Sequence, residues 1–118
     1  VRKHSGFMVP TPVQIAATAA FGDDEHVVIQ RSIYRARREM LLSALTTAGF
    51  TVDDSDAGLY LWATQGEPCM DTVEWLAKRG ILVAPGDFYG AAGSQHVRVA
   101  LTATDERVRS AAFRLLAE

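Results

Sequence analysis

In the run His96-Val-Arg-Val-Ala-Leu101, a single arginine, Arg98, stands between Val97 and Val99. Strand alternation sends Val97, Val99 and Leu101 to one face and His96, Arg98, Ala100 and Thr102 to the other. Two readings of Arg98 remain open on spacing alone. Its face is solvated and the residue ordinary, or the guanidinium is half-dry and needs a partner. In the second case the fitting partner is a carboxylate, gripped by two parallel hydrogen bonds from a planar fork. The preceding segment, Pro85-Gly-Asp-Phe-Tyr-Gly-Ala-Ala-Gly93, reads as a loop that would shape such a site. It is no phosphate cradle, because it lacks the Gly-Lys-Ser/Thr ending and opens no helix. Phe88 and Tyr89 are either a hydrophobic wall for a bound molecule or plain loop anchors.

Other chemistry-bearing residues read more plainly. Tyr60 and Trp62 alternate with Leu59 and Leu61, a pattern of cross-strand aromatic packing. Arg31, Arg35, Arg37 and Arg38 read as the wet face of a long helix. His4, His26 and His96 lack metal-ligand spacing, so no metal is expected. Cys69 sits near a helix start with no histidine close in sequence, which does not make a nucleophile. No serine stands in a nucleophile-elbow context.

The elements that must position these residues follow from periodicity and punctuation. Residues 1–9 read as irregular. Thr11 is a candidate N-cap with Pro12 at the first helical position, followed by an Ala-rich helix to Phe21 that Gly22 stops. Asp23 or Asp24 caps a second helix ending at Gly49, roughly 37 Å long at 1.5 Å per residue. Strands are predicted at Phe50–Val52, Leu59–Thr64, Ile81–Ala84 and His96–Leu101. A helix from about Asp71 to Gly80 separates the middle pair, and Thr104 opens the last helix. The order α-α-β-β-α-β-β-α predicts an α/β (α+β) small domain, in which a long helix precedes a mostly antiparallel or mixed sheet with helices on one face.

Composition narrows the class. The 118 residues carry 12 basic and 14 acidic side chains, net −2, which argues against a nucleic-acid surface. With 48% hydrophobic residues the chain can bury a core. There is no apolar run long enough for a membrane span and no signal peptide at the start. A lone cysteine excludes an internal disulfide and fits a reducing, cytoplasmic setting. The opening Val1-Arg-Lys, without methionine, reads as a chain with sequence missing upstream.

Together these pieces resemble the C-terminal part of a class I/II (fold-type I) pyridoxal-phosphate-dependent aminotransferase. The segment His4-Ser-Gly-Phe-Met-Val-Pro-Thr-Pro-Val-Gln14 is similar to the family's exit from the large domain. Tyr34-Arg-Ala-Arg-Arg38 resembles its Tyr-x-x-Arg-Arg pattern, and Gly58-Leu-Tyr60 its Gly-x-Tyr/Phe strand start. Pro85-Gly86 through Gly90 with His96–Leu101 resembles its Pro-Gly loop and arginine-bearing strand.

The resemblance implies that Arg98 grips the α-carboxylate of an amino acid substrate, with Phe88 and Tyr89 beside the side chain. It implies that residues 1–22 end a large cofactor-binding domain, 23–48 form an interdomain helix, and 49–118 form the small domain. Amino acid and 2-oxo acid substrates, pyridoxal phosphate and a homodimeric parent are implied with it. The branch looks similar to N-succinyldiaminopimelate aminotransferases of lysine biosynthesis, with methionine, kynurenine and aspartate types as alternatives. Lys3 and Lys78 both lack the family's Schiff-base surroundings. The chain alone is therefore expected to carry no catalytic or cofactor-binding residue and to be inactive. The competing reading is a stand-alone carboxylate-binding α/β module, or a plain interaction domain.

Overall fold

A computed structural model describes His4, Gly6 and residues 8–117. Val1, Arg2, Lys3, Ser5 and Phe7 lie outside the described residues, and with them Lys3 and part of the opening motif. The chain divides into two compact units, Val1–Ser32 and Ile33–Glu118.

In the first unit, helix α1 spans Thr11–Phe21. Pro10 occupies the N-cap position, one residue earlier than the expected Thr11, and Pro12 stands within the first turn, where its missing N–H leaves no orphan. Gly22 closes the helix by donating to Thr18 and Ala19 carbonyls, 3.1 Å each. No residue of α1 is buried, and Val13, Ile15 and Phe21 are exposed. Helix α2 runs Glu25–Thr47, with the Glu25 N–H donating to Asp23 Oδ1 at 3.0 Å. Its buried residues, Leu41, Ala44 and Leu45, fall in its last two turns.

The second unit is a layer of helices against a four-stranded sheet ordered β1-β2-β4-β3. The strands are β1 (Thr51–Asp53), β2 (Tyr60–Thr64), β3 (Ala84–Pro85) and β4 (His96–Ala100). All three pairings are antiparallel, which resolves the "mostly antiparallel or mixed" expectation. β2 faces β4 with Leu61 opposite Val99 and Trp62 opposite Arg98. Leu61, Ala63, Val97 and Val99 point into the core, where they join Leu41 and Leu45 of α2, Leu76 of α3 (Cys69–Lys78) and Val108 and Leu115 of α4 (Asp105–Leu116). The Thr104 hydroxyl caps α4 by accepting from the Arg107 N–H at 3.4 Å, as the sequence predicts. On α3, Lys78 Nζ sits 2.7 Å from Glu74, and that hydrogen bond, with the charge behind it, holds the Glu74 carboxyl below its ordinary range.

Two expectations differ from what is seen. Ile81–Val83 is not strand: β3 pairs only at Ala84 and Pro85, and a cavity of about 490 Å³ opens between residues 80–83 and the start of α4. An apolar run without a hydrogen-bonded neighbour is not a strand, whatever its propensity. Arg37 and Arg38 are not a wet face. Arg37 Nε meets Asp105 at 2.6 Å and its Nη1 donates to the Leu101 carbonyl at 3.1 Å. Arg38 donates to the carbonyls of Ser55, Ala57 and Gly58, the last two at 2.7 and 2.8 Å, and so closes the turn between β1 and β2.

Charge-assisted bonds to three turn carbonyls make Arg38 the main tie on that segment. Arg38→Ala is expected to raise amide exchange over residues 54–59 by about tenfold or more, with β4 unchanged. Hydrogen exchange resolved by mass spectrometry checks it, and unaltered protection of the turn refutes the assignment.

Candidate carboxylate site on the open sheet face

The face of the sheet opposite the helices carries Tyr60, Trp62, His96 and Arg98, all set by the two-residue period of β2 and β4. Arg98 Cζ lies 4.2 Å from the Tyr60 ring centroid and 5.2 Å from that of Tyr89. Both distances are within cation–π range, a stabilisation of about 0.5–2 kcal/mol each depending on desolvation. Arg98 Nε is buried and has no hydrogen-bond partner. Among the described residues no carboxylate lies within ion-pair distance of the guanidinium. A cation partly withdrawn from water, flanked by π faces and lacking a counter-charge, has the chemistry to take up an anion.

Tyr89 reaches this face because of the loop geometry. Gly86–Tyr89 and Ala91–Gly93 are successive 3₁₀ turns rather than an irregular loop. Gly86 and Gly93 touch backbone to backbone, and a Cβ on Gly86 would also come 2.6 Å from the His96 carbonyl. That close approach, open only to glycine, draws the first turn onto β4 and sets the Tyr89 ring beside Trp62, centroids 5.7 Å apart and nearly perpendicular.

The structure thus brings Arg98 and Tyr89 together. Phe88 is not part of the group: it is 78% exposed and makes no aromatic contact among the described residues. Tyr60, Trp62 and His96 belong to the face; the sequence reads the two aromatics as cross-strand packing and gives His96 no role. The signal was present, since alternation already placed His96 with Arg98, and pairing β2 with β4 would have added the two aromatics. Cys69 is buried and free, far from nucleophile geometry. The cavity beside α4 has Arg107 and Arg114 among its lining residues but not Arg98.

Among the described residues, this face carries no lysine that could take up pyridoxal phosphate. Lys78, on α3, is at the surface with its side chain 70% exposed and paired to Glu74. Lys3 lies outside the described residues.

The fold and the arginine-bearing strand define the small domain of a fold-type I aminotransferase. Residues 2–115 match the family described as aminotransferase class I and II, and the chain belongs to that family. A probable aminotransferase of Mycobacterium tuberculosis is 69% identical over 115 residues, covering 98% of this chain and 28% of that protein. The 4-dedimethylamino-4-oxo-anhydrotetracycline transaminase OxyQ of Streptomyces rimosus is 60% identical over 115 residues, 98% of this chain and 32% of its own length. An LL-diaminopimelate aminotransferase of Dehalococcoides mccartyi is 34% identical over 111 residues, 91% of this chain and 29% of that protein. Among solved structures, an aminotransferase from Staphylococcus aureus superposes with a TM-score of 0.81 at 26% identity, over 97% of this chain and 31% of that one. The chain spans less than a third of the length of each.

Gly86→Ala tests the loop geometry. Its methyl has no room against Gly93 and His96, so the substitution is expected to cost about 2 kcal/mol or more, or to displace the turn carrying Tyr89. Thermal unfolding of the full-length protein reads the loss; wild-type stability with Tyr89 in place would show that the contact is not needed.

Proposed function

We propose that this chain is the substrate-carboxylate-binding segment of an enzyme that transfers an amino group between an amino acid and a 2-oxo acid. The observation that carries the reading is Arg98, an unpaired guanidinium held between Tyr60 and Tyr89 on an open sheet face. Its fork would take the α-carboxylate common to donor and acceptor in two parallel hydrogen bonds, fixing the orientation of Cα. Tyr89, 51% exposed, would wall the substrate side chain, and Phe88 would join it only by turning inward.

The cofactor of such an enzyme, pyridoxal phosphate, supplies the electron sink. In this reading it is held by protein outside the chain, because no lysine here has fitting surroundings. Residues 1–22 would then end the cofactor-binding domain, 23–48 would link the domains, and 49–118 would be the small domain. The exposed apolar residues Val13, Ile15 and Phe21 of α1 support a packing partner beyond the chain. A homodimeric, cytoplasmic parent belongs to the same reading, which rests there on the family.

For the substrate we propose a diaminopimelate-type donor of lysine biosynthesis, such as the N-succinyl derivative, supported by the likeness to LL-diaminopimelate aminotransferases. The stronger likeness to the Streptomyces transaminase supports a second reading, a bulky ring-bearing oxo substrate lying against Tyr89. An aspartate-type donor has weaker support, from the likeness to a solved Thermus thermophilus aspartate aminotransferase at 27% identity.

Arg98→Lys keeps the charge and loses the fork. In the full-length enzyme it is expected to raise the donor KM by about tenfold or more, equivalent to about 1.4 kcal/mol, with a smaller change in kcat. Unchanged donor kinetics would refute the carboxylate role. The isolated chain with added pyridoxal phosphate is expected to turn over no amino donor; turnover would place the catalytic lysine inside it.

A further inference from the structure

We infer that His96, anchored by Asp53 and stacked on Trp62, is a positioning residue for Arg98. This inference rests on the reading of Arg98 as the carboxylate receptor. Asp53, Trp62 and Arg98 occupy one row across three adjacent strands, since Asp53 pairs with Trp62 and Trp62 with Arg98. An aspartate in the same row as an unpaired arginine would ordinarily compete for it. Here the Asp53 carboxylate is engaged elsewhere, with Oδ2 2.8 Å from His96 Nε2.

The imidazole so held lies parallel to the Trp62 indole, with centroids 5.2 Å apart and planes within 7°. Trp62 in turn meets Tyr89 edge-on at 5.7 Å, and Tyr89 flanks the guanidinium. The order of contact is Asp53, His96, Trp62, Tyr89, Arg98, Tyr60, a continuous column across the open face. Asp53, His96, Trp62, Arg98 and Tyr60 stand on strands, and Tyr89 alone is carried by a turn. Tyr89 comes from a 3₁₀ turn and has two χ angles free, so the indole that His96 backs is what sets its ring. His96 Nδ1 is buried without a partner, so the Asp53 bond is the imidazole's one hydrogen bond among the described residues. A single hydrogen bond to Asp53, 43 residues away in sequence, therefore governs the plane on which the rest stacks.

The test is calorimetric titration of the full-length protein with phenylacetate, using phenylacetamide as the neutral control, on wild type, His96→Ala, His96→Phe and Arg98→Lys. His96→Ala is expected to weaken phenylacetate binding about tenfold and leave phenylacetamide unchanged. His96→Phe keeps a ring to stack but releases Asp53, and is expected to weaken phenylacetate about threefold, between wild type and His96→Ala. In donor kinetics the His96→Ala loss should appear in KM rather than kcat. Should His96→Ala fail to fold, Asp53→Ala, at a half-exposed position, is expected to weaken phenylacetate about threefold by freeing the imidazole. Phenylacetate affinity within twofold of wild type in His96→Ala overturns the inference, as does an equal loss for phenylacetamide or a phenylalanine variant as weak as the alanine one. If Arg98→Lys also binds phenylacetate normally, the carboxylate reading falls with it; if only Arg98→Lys is weakened, that reading stands and the column does not.

Discussion

A guanidinium can be kept off bulk water in two ways, and the choice decides whether it remains available. A neighbouring carboxylate stabilises the charge most, but occupies the donors that a ligand would use. Aromatic faces stabilise less, about 0.5–2 kcal/mol each, and leave every N–H free. Arg98 is held in the second way, by Tyr60 and Tyr89, and its buried Nε remains without an acceptor. The open sheet face, the double 3₁₀ turn and the register of β2 on β4 are all arranged around that one unspent cation.

The register does most of the arranging. A shift of one residue between β2 and β4 would turn Trp62 into the core and bring Leu61 out, reversing both faces at once. Burial of Leu61, Ala63, Val97 and Leu101, each at 0% exposure, makes that slip very costly. The core therefore fixes the site from behind. No helix of the described residues is long and apolar enough to cross a membrane, and the apolar burial in this unit is spent on the sheet.

What could be read from the chain was what depends on near neighbours. Alternation at His96–Leu101 gave the two faces of β4, and Thr104 announced the start of α4; both follow from a few adjacent residues. Ile81–Val83 misled because a strand is a relation between two segments, and the second segment diverges after Pro85 pairs with Val97 and Ala84 with Arg98. Arg37 and Arg38 misled for a related reason. On a helix they look solvated, but their acceptors lie 17 to 20 residues away for Arg38 and more than 60 away for Arg37. The pairing of Asp53 with His96, 43 residues apart, had no local signal.

The arginines of this unit also show why residue type alone could not single out Arg98. Arg37 is neutralised by Asp105, Arg38 spends its donors on turn carbonyls, and Arg79 lies 3.6 Å over the Trp75 ring while donating to the Trp75 carbonyl. Each is consumed by the fold. Arg98 shares the aromatic contact of Arg79, but its guanidinium makes no hydrogen bond with any described residue. The difference lies in the strand partner: Arg98 faces Trp62, whose own neighbour Asp53 is already committed to His96. A charge is left available in a folded protein only where the competing acids are occupied, and on this sheet a histidine two residues from the arginine occupies the one in the arginine's own row.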